Sequence, residues 1–259
     1  MRHSKTLAKL RSQDIPRVIG LGSYNIAWVK HAATAGFDCI WLDTEHRAIT
    51  PEQVYSLIRV GHMVDIDIMV RVPTRQKIEL YRYLEEGAAG LMVPHVTTEA
   101  EARDLVQSVR FPPIGNRGVD GAGIDGDYYL ADPADYPDHA NRETFLVVQI
   151  ESPEALANAD AIAAVEGVDI LFLGPADYTL RAKHAPGAPD IDAAEGQVAA
   201  AAAAQGKSWG RPAGNAEQLQ ALFASGARFV ANGSDFSAMM WMMNEASGQF
   251  DQAIASARS

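Results

Sequence analysis

Cysteine is almost missing from this chain of 259 residues: there is one, Cys39. A single cysteine excludes an intramolecular disulfide framework and a multi-cysteine zinc site, and it fits a reducing compartment. Positive charge is scarce too. Lysine and arginine total 22 against 33 acidic residues, a formal charge of −11. That argues against a protein that coats nucleic acid, which needs a basic surface. It does not exclude an anionic small molecule, because one local arginine can bind a carboxylate on an acidic protein. No run reaches the roughly 18 consecutive apolar residues of a membrane span. The start, Met1-Arg2-His3-Ser4-Lys5, leads into mixed polar residues, not into the apolar core of a secretion signal. The expectation is a soluble, cytoplasmic protein with neither nucleic acid nor membrane as partner. A dinucleotide-binding fingerprint is also lacking, since Gly20-Leu21-Gly22-Ser23-Tyr24-Asn25 has no third glycine.

What is present is a large apolar fraction, 47%, in short runs that alternate with helix-patterned segments. Strands are expected at Val18–Gly22, Asp38–Asp43, Asp67–Val72, Gly90–Val93, Thr144–Glu151, Val168–Leu173, Lys207–Pro212 and Ala227–Ala231. Between them, Val54, Leu57 and Ile58 recur at helical spacing, as do Ala102, Leu105, Val106 and Val109, and then Leu219, Leu222 and Phe223. The alanine run Ala199–Ala204 reads as helix. Eight alternations over a length near 250 residues predict an α/β fold, a (β/α)8 TIM barrel occupying 1–259 as one domain. The stretch Phe111–Arg142 reads as a long irregular loop. Residues 234–259 form a helix with Phe236, Met239, Met240 and Met243 on one stripe and Trp241 and Met242 off it. Apolar surface on more than one face needs a second burial partner, either a subunit or a wide contact with the core.

Polar residues gather after the strand patterns: Asp43, Glu45 and His46, then Arg71, then Gln149 and Glu151, then Asp177. In a parallel barrel these ends share one face, where catalytic groups collect. Glu151 and Asp177 are candidate ligands for a hard divalent cation, leaving positions open for water and a chelating substrate, although both also suit helix starts. His46 is a candidate base beside Asp43, or a polar loop histidine. Arg71 calls for an anionic partner, supplied by a substrate or by an internal salt bridge. His31, His62 and His139 read as surface residues, Cys39 as core, and Ser152 and Ser234 as helix caps.

Five segments then align with a known pattern. They are Phe37-Asp38-Cys39-Ile40-Trp41-Leu42-Asp43-Thr44-Glu45-His46, Val70-Arg71-Val72-Pro73, Pro112-Pro113-Ile114-Gly115-Asn116-Arg117-Gly118, Val148-Gln149-Ile150-Glu151 and Gly174-Pro175-Ala176-Asp177. In this order they resemble the HpcH/HpaI family of metal-dependent, class II pyruvate aldolases, from about Arg17 to Glu245. The resemblance implies reversible cleavage of a 4-hydroxy-2-oxo acid to pyruvate, or a related 2-oxo acid, and an aldehyde. It implies a magnesium, manganese or cobalt ion on Glu151 and Asp177, His46 as base with Asp43 beside it, and Arg71 on the pyruvyl oxygen. It further implies Gln149 against the keto acid and the backbone of Gly174, Ala176 and Asp177 around its carboxylate. It implies a homo-oligomer, commonly a hexamer, that exchanges the last helix.

The chain departs from the family at three points: Glu85 stands where some members carry a catalytic aspartate, Arg47 where small residues are frequent, and Tyr178 where leucine is common. The departures lie where the second substrate is expected to enter. No lysine occurs in the motifs, which disfavours a Schiff-base aldolase. The alternatives are an acyl-CoA lyase of the malyl- or citramalyl-CoA type, with Arg181 and Lys183 as scattered phosphate-binding candidates, and a non-catalytic barrel that binds keto acids.

Overall fold

The computed structural model describes residues 2–258. Nine parallel strands are hydrogen-bonded in the order β7-β6-β5-β4-β3-β2-β1-β9-β8. They are β1 (Arg17–Leu21), β2 (Cys39–Asp43), β3 (Asp67–Arg71), β4 (Gly90–Val93), β5 (Phe145–Ile150), β6 (Ile170–Leu173), β7 (Ser208–Gly210), β8 (Pro212–Ala213) and β9 (Val230–Ser234). The two ends of that order, β7 and β8, are separated in sequence only by Arg211, so they make one barrel position interrupted by a single residue. With that position counted once, the expected eightfold (β/α) barrel is present.

The strands form because apolar residues fill both of their faces, as parallel sheets flanked by helices require. Side chains alternate between barrel interior and helical shell. Cys39 joins the interior with Val18, Met69, Met92, Val147, Ile170 and Phe172, while Ile40 and Leu42 face the helices. Inside, Phe172 meets Trp41 and Phe229 edge-on, with ring centroids 5.3 and 6.1 Å apart. The helices follow from their caps. Pro51–Val64 starts at a Thr50–Gln53 capping box, and Glu99–Val109 at a Thr98–Glu101 box; each buries the predicted apolar stripe. The alanine run lies within the helix Ile191–Ala204. At the strand-beginning end, the short helix Lys5–Arg11 closes the barrel. It is tied down by buried Asp67, which accepts the Ser4 hydroxyl at 2.7 Å and the Thr6 N–H at 2.8 Å.

Three expectations are corrected. The last strand runs Val230–Ser234, not Ala227–Ala231: Ala227 still closes the preceding helix through its N–H to the Leu222 carbonyl, and the polar end Asn232-Gly233-Ser234 continues the strand to the barrel mouth. The stretch Phe111–Arg142 is not irregular throughout. Tyr136–Glu143 is a helix, with Pro137 in its first turn and Tyr136 and Ala140 buried against Phe111. His62 is half-buried, its Nε2 2.8 Å from the Gly87 carbonyl, and burial pushes its pKa down.

The terminal helix, Asp235–Arg258, has 24 residues and buries none of them. Trp241 is 70% exposed and Phe250 72%. The wide core contact considered from sequence is absent; only the first turn is fastened, by Asp235 to the loop after β1. Among the described residues, no helix is long and apolar enough to cross a membrane.

Candidate active site

The strand period that fills the barrel also builds the site. Cys39-Trp41-Asp43, Asp67-Met69-Arg71 and Phe145-Val147-Gln149-Glu151 each keep one parity. The residues one step beyond the interior core are therefore Asp43, Arg71, Gln149 and Glu151, at the strand ends.

Arg71 finds its anionic partners within the chain. Its Nη2 lies 2.8 Å from Asp43 Oδ2, its Nε donates to Asp43 Oδ1 at 3.0 Å, and its Nη1 is 3.1 Å from Glu45 Oε2. The guanidinium stacks over Trp41, 4.9 Å from the ring centroid. Burial opposes ionisation of Asp43, but the hydrogen bond and charge of Arg71, with the N–H groups of His46 and Glu45, outweigh it and hold the carboxyl below its ordinary value. Asp43 thus grips Arg71 and the loop backbone. The acid next to the His46 imidazole is Glu45, 3.5 Å from Nε2, rather than Asp43. The His46 side chain is half-exposed at the mouth.

Glu151 is almost fully buried. It accepts the Gln149 amide at 3.0 Å and the His95 backbone N–H at 3.0 Å, and the His95 Nδ1 lies 2.8 Å away. Burial, with the charges of Glu45 and Asp177 adding to it, pushes the Glu151 carboxyl up against the pull of His95. A Cβ at Gly174 would collide with this carboxylate, so glycine is required there. Asp177 sits in the first turn of the helix Pro175–Ala182, which has no side-chain cap; the N–H groups of Ala176 and Asp177 precede its first intrahelical donor.

Sequence reasoning missed His95 and undervalued Glu45 and Arg181. His95 follows β4 by two residues, with a left-handed φ of 57°. That strained backbone is held by Arg75, which donates to the Pro94 and His95 carbonyls and is itself anchored on Glu101 at 2.6 Å. The imidazole then spans two carboxylates, its Nε2 3.1 Å from Glu45 Oε1. Arg181 closes the cluster, with contacts to His95 Nδ1 at 3.2 Å, the Glu151 carbonyl at 3.0 Å and Asp177 at 3.4 Å. It is committed here and is not a loose phosphate-binding group. The signal that could have found His95 was position alone: it lies just past a strand end, like the others.

Two sequence candidates fall elsewhere. Glu85 closes the helix Lys77–Glu85 ahead of β4, at the strand-beginning end, among Asp125, Arg117 and Asp120. Within one chain it does not meet the site. Tyr178 is fully buried and donates its hydroxyl to the Pro189 carbonyl at 2.9 Å, so it does not face an incoming substrate. Ser152 and Ser234 are the caps expected of them, and Cys39 is buried core.

Among the described residues no group of three or more His, Cys, Asp or Glu side chains is poised around a metal position. Two carboxylates nevertheless suit a hard cation that keeps open positions. The crowding of Glu45, Glu151 and Asp177, together with a buried Gln149 Oε1 that accepts no hydrogen bond, is the kind of uncompensated surplus a cation relieves.

A parallel barrel that gathers carboxylates and two clamped arginines, Arg71 and Arg181, at its strand ends has the layout of a barrel enzyme's active face. Residues 20–240 match the model for HpcH/HpaI aldolase/citrate lyase, and the chain belongs to that family. It is 35% identical over 249 residues to a hydroxypyruvate/pyruvate aldolase from Pseudomonas aeruginosa, covering 93% of this chain and 91% of the relative. It is 38% identical to a 4-hydroxy-2-oxovalerate aldolase from Novosphingobium aromaticivorans, covering 78% of each. The fold superposes with a TM-score of 0.88 on an HpcH/HpaI aldolase from Desulfitobacterium hafniense, at 28% identity and covering 94% and 95% of the two chains.

Proposed function

We propose that this chain is a class II pyruvate aldolase: it reversibly cleaves a 4-hydroxy-2-oxo acid to pyruvate and an aldehyde. The observation that carries the reading is Arg71, held rigidly by Asp43 and Glu45 beside the buried Glu151–Gln149 pair. A guanidinium fixed before substrate arrives stabilises negative charge that develops on a keto oxygen, with no cost of reorientation during reaction.

Glu151 and Asp177 would hold the divalent cation, with magnesium, manganese and cobalt the ions that match oxygen ligands and open positions. When bound, it supplies Lewis-acid polarisation of the keto acid. Gln149 faces the keto acid, and the first-turn N–H groups of Ala176 and Asp177 suit its carboxylate. In the synthetic direction a methyl proton passes from pyruvate to water at the barrel mouth, the resulting carbon attacks the aldehyde carbon, and the aldehyde oxygen takes up a proton in return. His46, exposed at the mouth, moves that last proton and removes it in cleavage. The commitment of Arg181 to His95 and Glu151 weakens the acyl-CoA reading.

Residues 1–259 constitute one aldolase domain in this reading, in a cytoplasmic setting that the lone buried Cys39 suits. Residues 234–259 are its assembly element: an exposed apolar helix of this size calls for cover by other copies, a hexamer in the family resemblance. Chelator treatment tests the function. Metal-stripped protein should lose turnover and regain it with magnesium, manganese or cobalt; full turnover after verified stripping would refute the class II assignment. A monodisperse monomer in light scattering would refute the assembly.

A further inference from the structure

A cavity of about 410 Å³ opens beside Arg71, walled by β1, β2, β8, β9 and the first turn of the terminal helix. Glu151, Asp177 and His95 do not line it. Four charged side chains do. Arg71 and Asp43 neutralise one another at 2.8 Å. Asp235 accepts the Gly22 N–H at 2.9 Å and the Ser23 hydroxyl at 2.6 Å. Arg47 is the exception. Its guanidinium carbon lies 5.0 Å from the Phe236 ring centroid, and its Nη1 donates only to the neighbouring His46 carbonyl, at 2.9 Å. Among the described residues no carboxylate pairs with it.

The seat of Arg47 is shaped by glycine. A Cβ at Gly22 would stand 2.8 Å from the Phe236 ring and 2.9 Å from Arg47 Nε. Stacking on an aromatic face holds a guanidinium plane while leaving its edge free for paired hydrogen bonds to a carboxylate or phosphate. Arg47 also follows His46 directly, so one loop carries both the base proposed for the aldehyde oxygen and this unpaired cation.

We propose that Arg47 selects the second substrate, and that this substrate is a short aldehyde with an anionic terminus, a carboxylate or a phosphate. The inference rests on the aldolase reading above. The keto acid occupies the Glu151 side of Arg71 and the aldehyde occupies the cavity, with its terminal anion on the Arg47 edge. A neutral aldehyde fills the same space and leaves the guanidinium to water.

The test is aldol addition to pyruvate by wild type, Arg47→Met and Arg47→Lys, with two matched pairs of acceptors: 4-oxobutanoate against butanal, and glyceraldehyde 3-phosphate against glyceraldehyde. Wild type should favour the anion in at least one pair. In Arg47→Met the ratio of kcat/KM for anion over neutral partner should fall about tenfold or more, chiefly through KM, while Arg47→Lys keeps part of the preference. A fall in the first pair assigns a carboxylate, and in the second a phosphate. If Arg47→Met does not fold, Gly22→Ala, which crowds the same guanidinium, should lower the same ratio. A wild-type preference for the neutral partners, or ratios unmoved by the variants, overturns the proposal. Deuterium exchange into the methyl group of pyruvate needs no aldehyde and separates the two readings. Its absence in wild type overturns the aldolase reading and this inference together; exchange with unmoved ratios overturns this inference alone.

Discussion

The two sides of the barrel mouth are built on opposite plans. On the side of β2 to β6, Glu151 is buried, the other charges are partly buried, and each is held by another: Arg71 by Asp43 and Glu45, Glu151 by Gln149 and His95, His95 by Glu45 and Arg181. On the side of β1, β8 and β9 lie glycines, short polar side chains, an open volume and one unpaired arginine. The first arrangement suits a ligand whose chemistry never changes, and the second a ligand that varies. Fixed charge geometry is expensive to alter, because removing one member of a buried pair strands the other. An open cavity can change its wall without that penalty.

The sharpest way to break the comparison is Glu151→Ala. It should abolish tight metal binding and cut turnover on the order of a thousand-fold, the scale of lost Lewis-acid assistance. Mn2+ binding by electron paramagnetic resonance, alongside circular dichroism of the folded barrel, checks both halves of that statement. Next is Arg71→Ala, expected to cost on the order of a hundred-fold both in aldol cleavage and in oxaloacetate decarboxylation, since both build charge on the same oxygen. His46→Ala should spare decarboxylation relative to cleavage, because decarboxylation removes no proton from a 4-hydroxyl. Equal losses in the two reactions would take the proton-transfer role away from His46.

His95→Ala probes the interior of the charged side. Freed from the imidazole, Glu151 and Glu45 should reorient, and metal affinity should drop about tenfold, as with other groups that orient metal ligands. Titration calorimetry with Mn2+ reads this directly, and an unchanged affinity would leave His95 a structural residue only. The smallest effect is expected at Glu101. Burial alone would raise its pKa, but hydrogen bonds from the Thr97 hydroxyl and N–H and from Arg75 lower it from 4.5 to about 2. A depressed carboxyl contributes stability above its unfolded pKa and loses it as pH falls through the folded value. Glu101→Gln should therefore lower the urea midpoint slightly at pH 7, and the gap from wild type should close between about pH 4.5 and pH 2.

The barrel was legible in sequence because its strands are apolar on both faces and its helices carry their caps, as Thr50 and Thr98 show. Their place at strand ends, which share one face of a parallel barrel, made Arg71, Gln149 and Glu151 legible as neighbours. What escaped depends on single backbone angles and on side-chain choice between equivalent partners. The left-handed turn at His95 is imposed by Arg75 from another segment, and no local pattern announces it. Asp43 and Glu45 are two residues apart, and only their distances decide which grips Arg71 most closely and which reaches His46 and His95. The helix Tyr136–Glu143 was hidden by a weakly apolar sequence whose burial rests on Tyr136 and Ala140 alone.

The terminal helix has one further consequence. Its first residues, Asp235, Phe236 and Ser237, are cavity wall, while the rest projects for roughly 30 Å with its apolar side chains bare. Such a rod is a lever with its fulcrum in the binding site. Whatever seats the far end also sets the position of Phe236 under Arg47. Thermodynamic linkage makes the relation mutual, so a ligand that fixes Phe236 also biases how the far end is seated.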